Sequence, residues 1–180
     1  MLKILATICI IGMATSSCTS KKASRTESSH EAEPELTMIV GTYTSGDSKG
    51  LYSFRFNEEN GTATALSEAE VENPSYLVPS ADGKFIYAVS EFSNDQAAAN
   101  AFAFNKEEGT FRLLNTQKTE GEDPCYIITN GSNVVTANYS GGSISVFPID
   151  KDGSLLPASE VVKFKGSGAD KERQEKPHLH

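Results

Sequence analysis

The sequence predicts an all-β fold, a β-propeller of four-stranded antiparallel blades, and three observations lead to this prediction. Short alternating or β-branched runs recur from residue 37 onward, tight-turn dipeptides separate them, and two sequence markers repeat in step. Repeats of roughly 40 to 50 residues with several strands each are typical of propeller blades. A two-sheet sandwich is the alternative, but it does not predict two markers that recur together.

The individual strands are predicted from runs with a period of two residues. In residues 51–56, Tyr52, Phe54 and Phe56 fall on one face of the chain, as a half-buried strand requires. Asn-Gly and Asp-Gly pairs punctuate the runs, because both tolerate the positive φ of hairpin turns. The predicted strands are residues 38–43, 51–56, 85–89, 101–104, 134–139 and 144–149.

Two markers define the repeat. Residues 54–62 (FRFNEENGT) match residues 102–110 (FAFNKEEGT), and residues 146–154 (VFPIDKDGS) are a looser third copy, so that the marker glycines lie 48 and then 44 residues apart. The prolines of the second marker (NPSY, DPCY, KPHL) are 50 and then 53 residues apart. The two markers therefore keep nearly the same period.

The markers divide the chain into blades. Residues 75–118 and 125–164 supply four strands each, three strands precede them, and the chain enters the next inner strand at Pro177. We expect the innermost strands of the two full blades at 75–78 and 125–128. Because known propellers need roughly 4 to 8 blades, fewer than three complete blades predict a truncated chain.

Composition excludes some classes of partner. The 180 residues are 38% hydrophobic and 22% charged, an ordinary globular balance. The 24 acidic residues outnumber the 16 basic ones, for a net charge of -8. This charge repels phosphate backbones and anionic lipids, so we expect no nucleic-acid partner.

The N-terminus resembles a bacterial lipoprotein signal. Lys3 precedes an apolar run over residues 4–14, too short to span a membrane, and small residues lead from it into Cys18. We expect residues 1–17 to be the signal peptide, 18–36 a flexible polar linker, and lipid on Cys18 to be the only membrane contact. The predicted location is the cell envelope, in the periplasm or at the outer membrane; a plain secretory peptide is the alternative.

Only Cys125 remains in the predicted mature domain, since Cys9 leaves with the signal and Cys18 carries lipid. No internal disulfide is therefore expected. Cys125 could act as a nucleophile, but a half-buried small residue is the favoured interpretation because no histidine lies near it in sequence.

Three segments resemble one known family. Residues 73–91 (NPSYLVPSADGKFIYAVSE), 137–147 (ANYSGGSISVF) and 173–180 (RQEKPHLH) are similar to the seven-bladed propeller lactonases. The best-known member hydrolyses 6-phosphogluconolactone, and a fungal branch is a carboxymuconate lactonising enzyme. The resemblance covers residues 37–180, the N-terminal half of such a protein. It implies a site where the inner strands open onto the central channel.

Lactone hydrolysis needs a base for water and a donor or cation for the oxyanion. His178 is the candidate base, because histidine titrates near neutrality and this one is predicted to begin an inner strand. His180 points to the same side if that strand is regular. The pair could hold a metal, but without a third ligand nearby we predict neither a metal nor another cofactor.

Three further residues are candidate substrate ligands. Arg173 could bind a carboxylate or phosphate, or it could belong to a solvated loop. Glu91 and Asn138 end the second strands of their blades at a matching place, where they could reach the channel mouth or simply cap turns.

Two functions remain open. The first is a lactone hydrolase that acts on a small sugar lactone, monomeric when complete. The second is a non-catalytic envelope propeller that binds a partner or glycan, which export of the protein favours.

Overall fold

The computed structural model describes residues 35–180, and every regular element in this range is a β-strand. The strands form three antiparallel sheets, which we call the first, second and third blades in chain order. The first blade contains β1 (Glu35–Gly41), β2 (Gly50–Asn57) and β3 (Ala63–Glu70). The second contains β4 (Leu77–Pro79), β5 (Phe85–Ser90), β6 (Ala98–Asn105) and β7 (Thr110–Lys118). The third contains β8 (Pro124–Thr129), β9 (Asn133–Asn138), β10 (Ser143–Pro148) and β11 (Glu160–Lys163).

Each blade is a meander in which consecutive strands pair, with spatial orders β1-β2-β3, β4-β5-β6-β7 and β8-β9-β10-β11. The prediction of three strands followed by two four-stranded blades is confirmed. The predicted signal and most of the predicted linker lie outside the described residues. Strand β1 begins two residues before the predicted domain start, because Glu35 and Leu36 already pair with Asn57 and Phe56.

The inner strands differ in part from the prediction. Strand β8 contains the predicted 125–128, whereas β4 is only Leu77–Pro79. The Ser75 N–H donates to the Asn73 carbonyl at 2.8 Å in a local turn, so the Cα ladder with β5 starts only at Leu77. The prediction that an inner strand begins at Pro177 was wrong. In the structure, residues 177–180 form no strand and pair with no other described strand.

The second blade is packed on both faces, which separates the propeller from a sandwich. Alternate residues of β5 enter different cores: Ile86 and Ala88 pack with Leu51 of the first blade, whereas Tyr87 and Val89 pack with Phe147 of the third. A strand alternates its side chains between the two faces of its sheet. Both faces of the second blade are therefore buried, as stacking of successive blades requires.

Turn glycines lie where neighbouring blades touch. Gly109 and Gly153 have φ of 72° and 87° and are buried against the preceding blade. Their carbonyls accept hydrogen bonds across that interface, from Ser53 Oγ at 2.6 Å and from Tyr87 Oη at 3.2 Å. A Cβ on Gly153 would overlap the Phe85 ring. In the second and third copies of the first sequence marker, this contact adds to positive φ as a reason for glycine, whereas Gly61 of the first copy has positive φ alone.

Within residues 35–180 we find no helix that is long and apolar enough to cross a membrane.

Candidate active site

Glu91 and the two candidate histidines lie at one end of the blades. An inner strand starts where the second strand of its blade ends, because the two are antiparallel. Glu91 and Tyr139 directly follow β5 and β9, and their N–H groups donate to the carbonyls of Asn73 and Asp123 at 3.0 and 2.8 Å. The segments that follow Asn73 and Asp123 lead into the inner strands. This end of the blades therefore brings loop residues and inner-strand starts together.

His178 is held against the third blade by an aromatic contact. Its ring stacks on Tyr139, with centroids 4.5 Å apart and planes 26° apart. His180 contacts the same tyrosine edge-on at 6.1 Å. Both histidines therefore contact one aromatic side chain, although residues 177–180 do not form the regular strand from which a shared side was predicted.

The Nδ1 atom of His178 is buried and has no hydrogen-bond partner among the described residues. A buried polar atom without a partner is unfavourable and calls for an explanation, such as a ligand or a catalytic role. The unprotonated nitrogen of a neutral imidazole is a hydrogen-bond acceptor for a ligand group that reaches it.

The backbone around His178 is fixed without a strand ladder. Cys125 Sγ donates to the Leu179 carbonyl at 3.6 Å. Gly142 lies so close to Pro177 that an added Cβ would be 2.7 Å from the Pro177 oxygen. Burial, followed by the charge of Glu91, raises the pKa of the Cys125 thiol. A protonated thiol is a poor nucleophile, which supports the half-buried structural role.

Glu91 is the centre of a second polar group at this end. Its Oε2 accepts a hydrogen bond from Tyr43 Oη at 3.0 Å, and another from Ser75 Oγ. Burial is the main cause that raises the pKa of Tyr43, and the hydrogen bond and charge of Glu91 raise it further. The first and second blades therefore meet in a carboxylate that holds two hydroxyl groups.

Asn138 does not occupy the same place as Glu91, and the expected match was wrong by one residue. Ser90 pairs with Ala98 and Asn138 pairs with Ser143, so the equivalent of Asn138 is Ser90. Asn138 is 0% exposed. Its Nδ2 donates to Ser143 Oγ at 3.0 Å and to Ser145 Oγ at 2.9 Å. The structure therefore places Asn138 inside the third blade, away from the group around Glu91.

Arg173 lies in an exposed turn, where its N–H donates to Asp170 Oδ1 at 3.2 Å. No hydrogen bond or ring contact joins its guanidinium to His178 or Glu91 among the described residues. No three His, Cys, Asp or Glu side chains within residues 35–180 are grouped so that they could hold a metal ion.

Sequence reasoning missed Tyr43, Ser75 and Tyr139. A signal for two of them was present, because Tyr43, Glu91 and Tyr139 are spaced 48 residues apart. Applying the repeat period to Glu91 would have pointed to both tyrosines. Nothing in the sequence indicates that Tyr43 bonds to Glu91, since that contact joins two different blades.

Comparison with known proteins agrees with this architecture. The chain is 38% identical over 147 residues to a 6-phosphogluconolactonase of Bacillus subtilis, covering 78% of this chain and 41% of the relative. A solved structure from Bacteroides fragilis, assigned as a 6-phosphogluconolactonase, is 74% identical, with a TM-score of 0.80 over 81% of this chain and 41% of that one. The periplasmic gluconolactonase of Pseudomonas aeruginosa is 30% identical, with a TM-score of 0.75 over 82% and 43%.

The chain thus spans about two fifths of the length of the relatives it matches, 41% of the Bacillus subtilis protein. The sequence model of the lactonase family, described as a seven-bladed β-propeller, matches residues 37–180. That range includes all but the first two residues of the described blades. The chain therefore belongs to the lactonase family of seven-bladed β-propellers.

Proposed function

We propose that this chain forms part of a lactone hydrolase in which His178 is the general base. The observation that carries the proposal is the buried, unpartnered Nδ1 of His178, held against Tyr139 at the end of the blades where the inner strands begin. The names of the Bacillus subtilis and Pseudomonas aeruginosa relatives support lactone opening as the reaction.

In the proposed reaction, His178 takes a proton from water as the water oxygen bonds to the lactone carbonyl carbon. The ring C–O bond then breaks, and the proton passes from His178 to the departing alkoxide oxygen, which becomes a hydroxyl. The acyl product is a carboxylic acid, which releases its remaining proton to solvent and becomes a carboxylate; Arg173 is the proposed partner of that anion because its planar fork matches it. His180 remains an alternative base, since it contacts the same tyrosine.

Activity is tested on a protein in which the remaining residues of the Bacteroides fragilis relative follow His180, here called the extended propeller. We expect His178→Ala to lower its lactone turnover by on the order of 10² to 10⁴, the usual contribution of a general base. His178→Gln should not restore turnover, because an amide cannot accept the proton. Spontaneous lactone opening is subtracted as a blank.

Full activity of the His178→Ala protein would assign the base to His180 or to another residue. If the unsubstituted extended propeller opens no lactone, the non-catalytic binding function, which the proposed export favours, replaces this proposal.

The proposed location is the cell envelope, with lipid on Cys18 as the anchor and a monomeric extended propeller. The apolar run before Cys18 and the periplasmic location named for the Pseudomonas aeruginosa relative support this. Cys18→Ala should move the protein from the membrane to the soluble envelope fraction. Unsubstituted protein that is already soluble, with its N-terminus at another residue, would contradict the anchor.

A further inference from the structure

The polar group around Glu91 has no part in the proposed proton transfer, yet it lies at the same end of the blades as His178. Glu91 Oε2 accepts from Tyr43 Oη and Ser75 Oγ. The second oxygen, Oε1, accepts no hydrogen bond from a residue in the described range. A half-buried carboxylate oxygen without a partner is available to a ligand hydroxyl.

The group is held rigidly by the loop before it. Asn73, with φ of 46°, accepts hydrogen bonds at its Oδ1 from the N–H and the Oγ1 of Thr44, both at 3.0 Å. Its own Nδ2 donates to the Glu91 carbonyl at 3.3 Å. The side chain of Asn73 therefore ties the loop that carries Tyr43 to the loop that carries Glu91. Hydrogen bonds of this kind, from a residue that supports the binding groups, keep those groups in place before the ligand arrives.

Tyr43 can reach a ligand, because 56% of its surface is exposed. The phenol of Tyr43 donates its proton to Glu91, so its oxygen is left to accept a hydrogen bond from a ligand hydroxyl. The phenol and the carboxylate of Glu91 are 3.0 Å apart. Neighbouring hydroxyl groups on one sugar ring present donors and acceptors at a similar spacing, which this pair can match.

The charged side chain of this group is the Glu91 carboxylate, and Asp123 lies beside it, because the Asp123 N–H donates to the carbonyl of Phe92, the residue after Glu91, at 2.8 Å. No salt bridge joins Glu91 or Asp123 to a lysine or arginine within residues 35–180. A phosphate placed beside these carboxylates would be repelled, whereas a neutral hydroxyl would not. The wall formed by the described blades thus favours an uncharged ligand.

The Glu91 group is connected to the candidate base through Cys125. The Cys125 thiol lies near enough to Glu91 for the carboxylate to raise its pKa, and it donates to the carbonyl of Leu179, the residue after His178. Glu91 and Tyr139, the residue on which His178 stacks, also follow the equivalent strands β5 and β9 of neighbouring blades.

We propose that Tyr43, Ser75 and Glu91 form a hydroxyl-binding subsite that selects a neutral polyhydroxylated lactone over its phosphorylated counterpart. The inference rests on the proposed function, since it assigns the substrate class of the same site.

The test compares kcat/KM of the extended propeller for glucono-δ-lactone and for its 6-phosphate. We expect the neutral lactone to be preferred. Glu91→Gln should lower kcat/KM for the neutral lactone by about 10- to 100-fold, mainly through KM, as expected for lost hydrogen bonds to a charged group. The same change also removes a charge that repels the phosphate, which offsets the lost hydrogen bonds, so kcat/KM for the phosphorylated lactone should not fall and the preference should disappear.

Tyr43→Phe should give a smaller loss, about 3- to 10-fold, because a neutral hydrogen bond is weaker. Tyr76→Phe is the matched control: Tyr76 is also exposed and packs on Tyr126 with ring centroids 4.8 Å apart, a contact that phenylalanine retains. We expect no change in its kcat/KM for either lactone.

Failure of the subsite and failure of the lactonase proposal give different results. Turnover with equal or greater preference for the phosphorylated lactone, unchanged in Glu91→Gln, overturns the subsite and leaves the hydrolase. If neither lactone is opened, binding of gluconolactam and its 6-phosphate, measured by calorimetry, decides the question. Tighter binding of the neutral lactam that is lost in Glu91→Gln supports the subsite, and equal binding overturns it.

Discussion

The second and third blades form the same buried hydrogen bond with its two partners exchanged. In the second blade, Asn100 Nδ2 on the third strand donates to Ser90 Oγ on the second strand at 2.9 Å. In the third blade, Asn138 Nδ2 on the second strand donates to Ser145 Oγ on the third strand at 2.9 Å. Since all four side chains are buried, the scaffold requires one amide and one hydroxyl at this place but not a fixed order.

One residue further along the chain, the two blades differ in chemistry. Ser90 is followed by Glu91, which holds the hydroxyls of Tyr43 and Ser75. Asn138 is followed by Tyr139, which stacks on His178. The comparison shows that buried positions conserve an interaction, whereas the adjacent half-exposed positions are free to differ and so can carry function.

The largest stability difference is expected at the marker glycines. Gly153 is buried against Phe85, whereas Gly61, with a similar φ of 71°, has nothing within 4 Å of an added Cβ. Gly153→Ala should cost roughly 2–4 kcal/mol, from positive φ plus overpacking, and Gly61→Ala roughly 1 kcal/mol from φ alone. Urea unfolding followed by circular dichroism measures both. Equal losses of unfolding free energy in the two variants would show that the contact of Gly153 with Phe85 adds nothing to the cost.

Exchanging the buried pair tests whether its order matters. Asn138→Ser should destabilise the chain by roughly 1–3 kcal/mol, because neighbouring hydroxyl groups lose a partner. Adding Ser145→Asn recreates the arrangement of the second blade and should recover at least half of that loss. The equivalence of the blades would be contradicted if the double variant lost as much unfolding free energy as Asn138→Ser and Ser145→Asn lose separately, added together. The same urea titration provides the comparison.

Tyr139 is expected to act as a positioning residue for His178. In the extended propeller, Tyr139→Leu should lower kcat about 2- to 10-fold, with little change in KM. This factor corresponds to the interaction free energy of one aromatic pair. Tyr139→Phe retains the ring and serves as the control. A purely structural role would lower the amount of folded protein without shifting the pH profile of kcat, so that profile is measured for both variants.

The smallest effect concerns pH and the contact between blades. Burial raises the pKa of Tyr87 to about 12 from its ordinary value of 10.0. The unfolded chain therefore releases this proton first as pH rises, so the contribution of Tyr87 is complete below pH 10 and is lost between about 10 and 12. The urea midpoint should fall more steeply over this window in the unsubstituted chain than in Tyr87→Phe. Parallel slopes would contradict a buried phenol.

Much of the blade arrangement could be predicted because it depends on local patterns. The alternating run of residues 51–56 and the marker glycines are properties of short segments, and they led to the observed strands and turns. Residues 177–180 were not predicted correctly. Their sequence resembles the starts of the other inner strands, but a strand also needs a neighbouring strand to pair with.

The sequence by itself determined the all-β class, the repeat period, the number of strands in each described blade and the candidate base His178. The tertiary structure alone decided which side chains face the site. Successive residues of a strand point to opposite faces, so an offset of one residue separates buried Asn138 from Tyr139 at the site. The bond of Tyr43 to Glu91 likewise exists only because two blades, 48 residues apart in sequence, pack against each other.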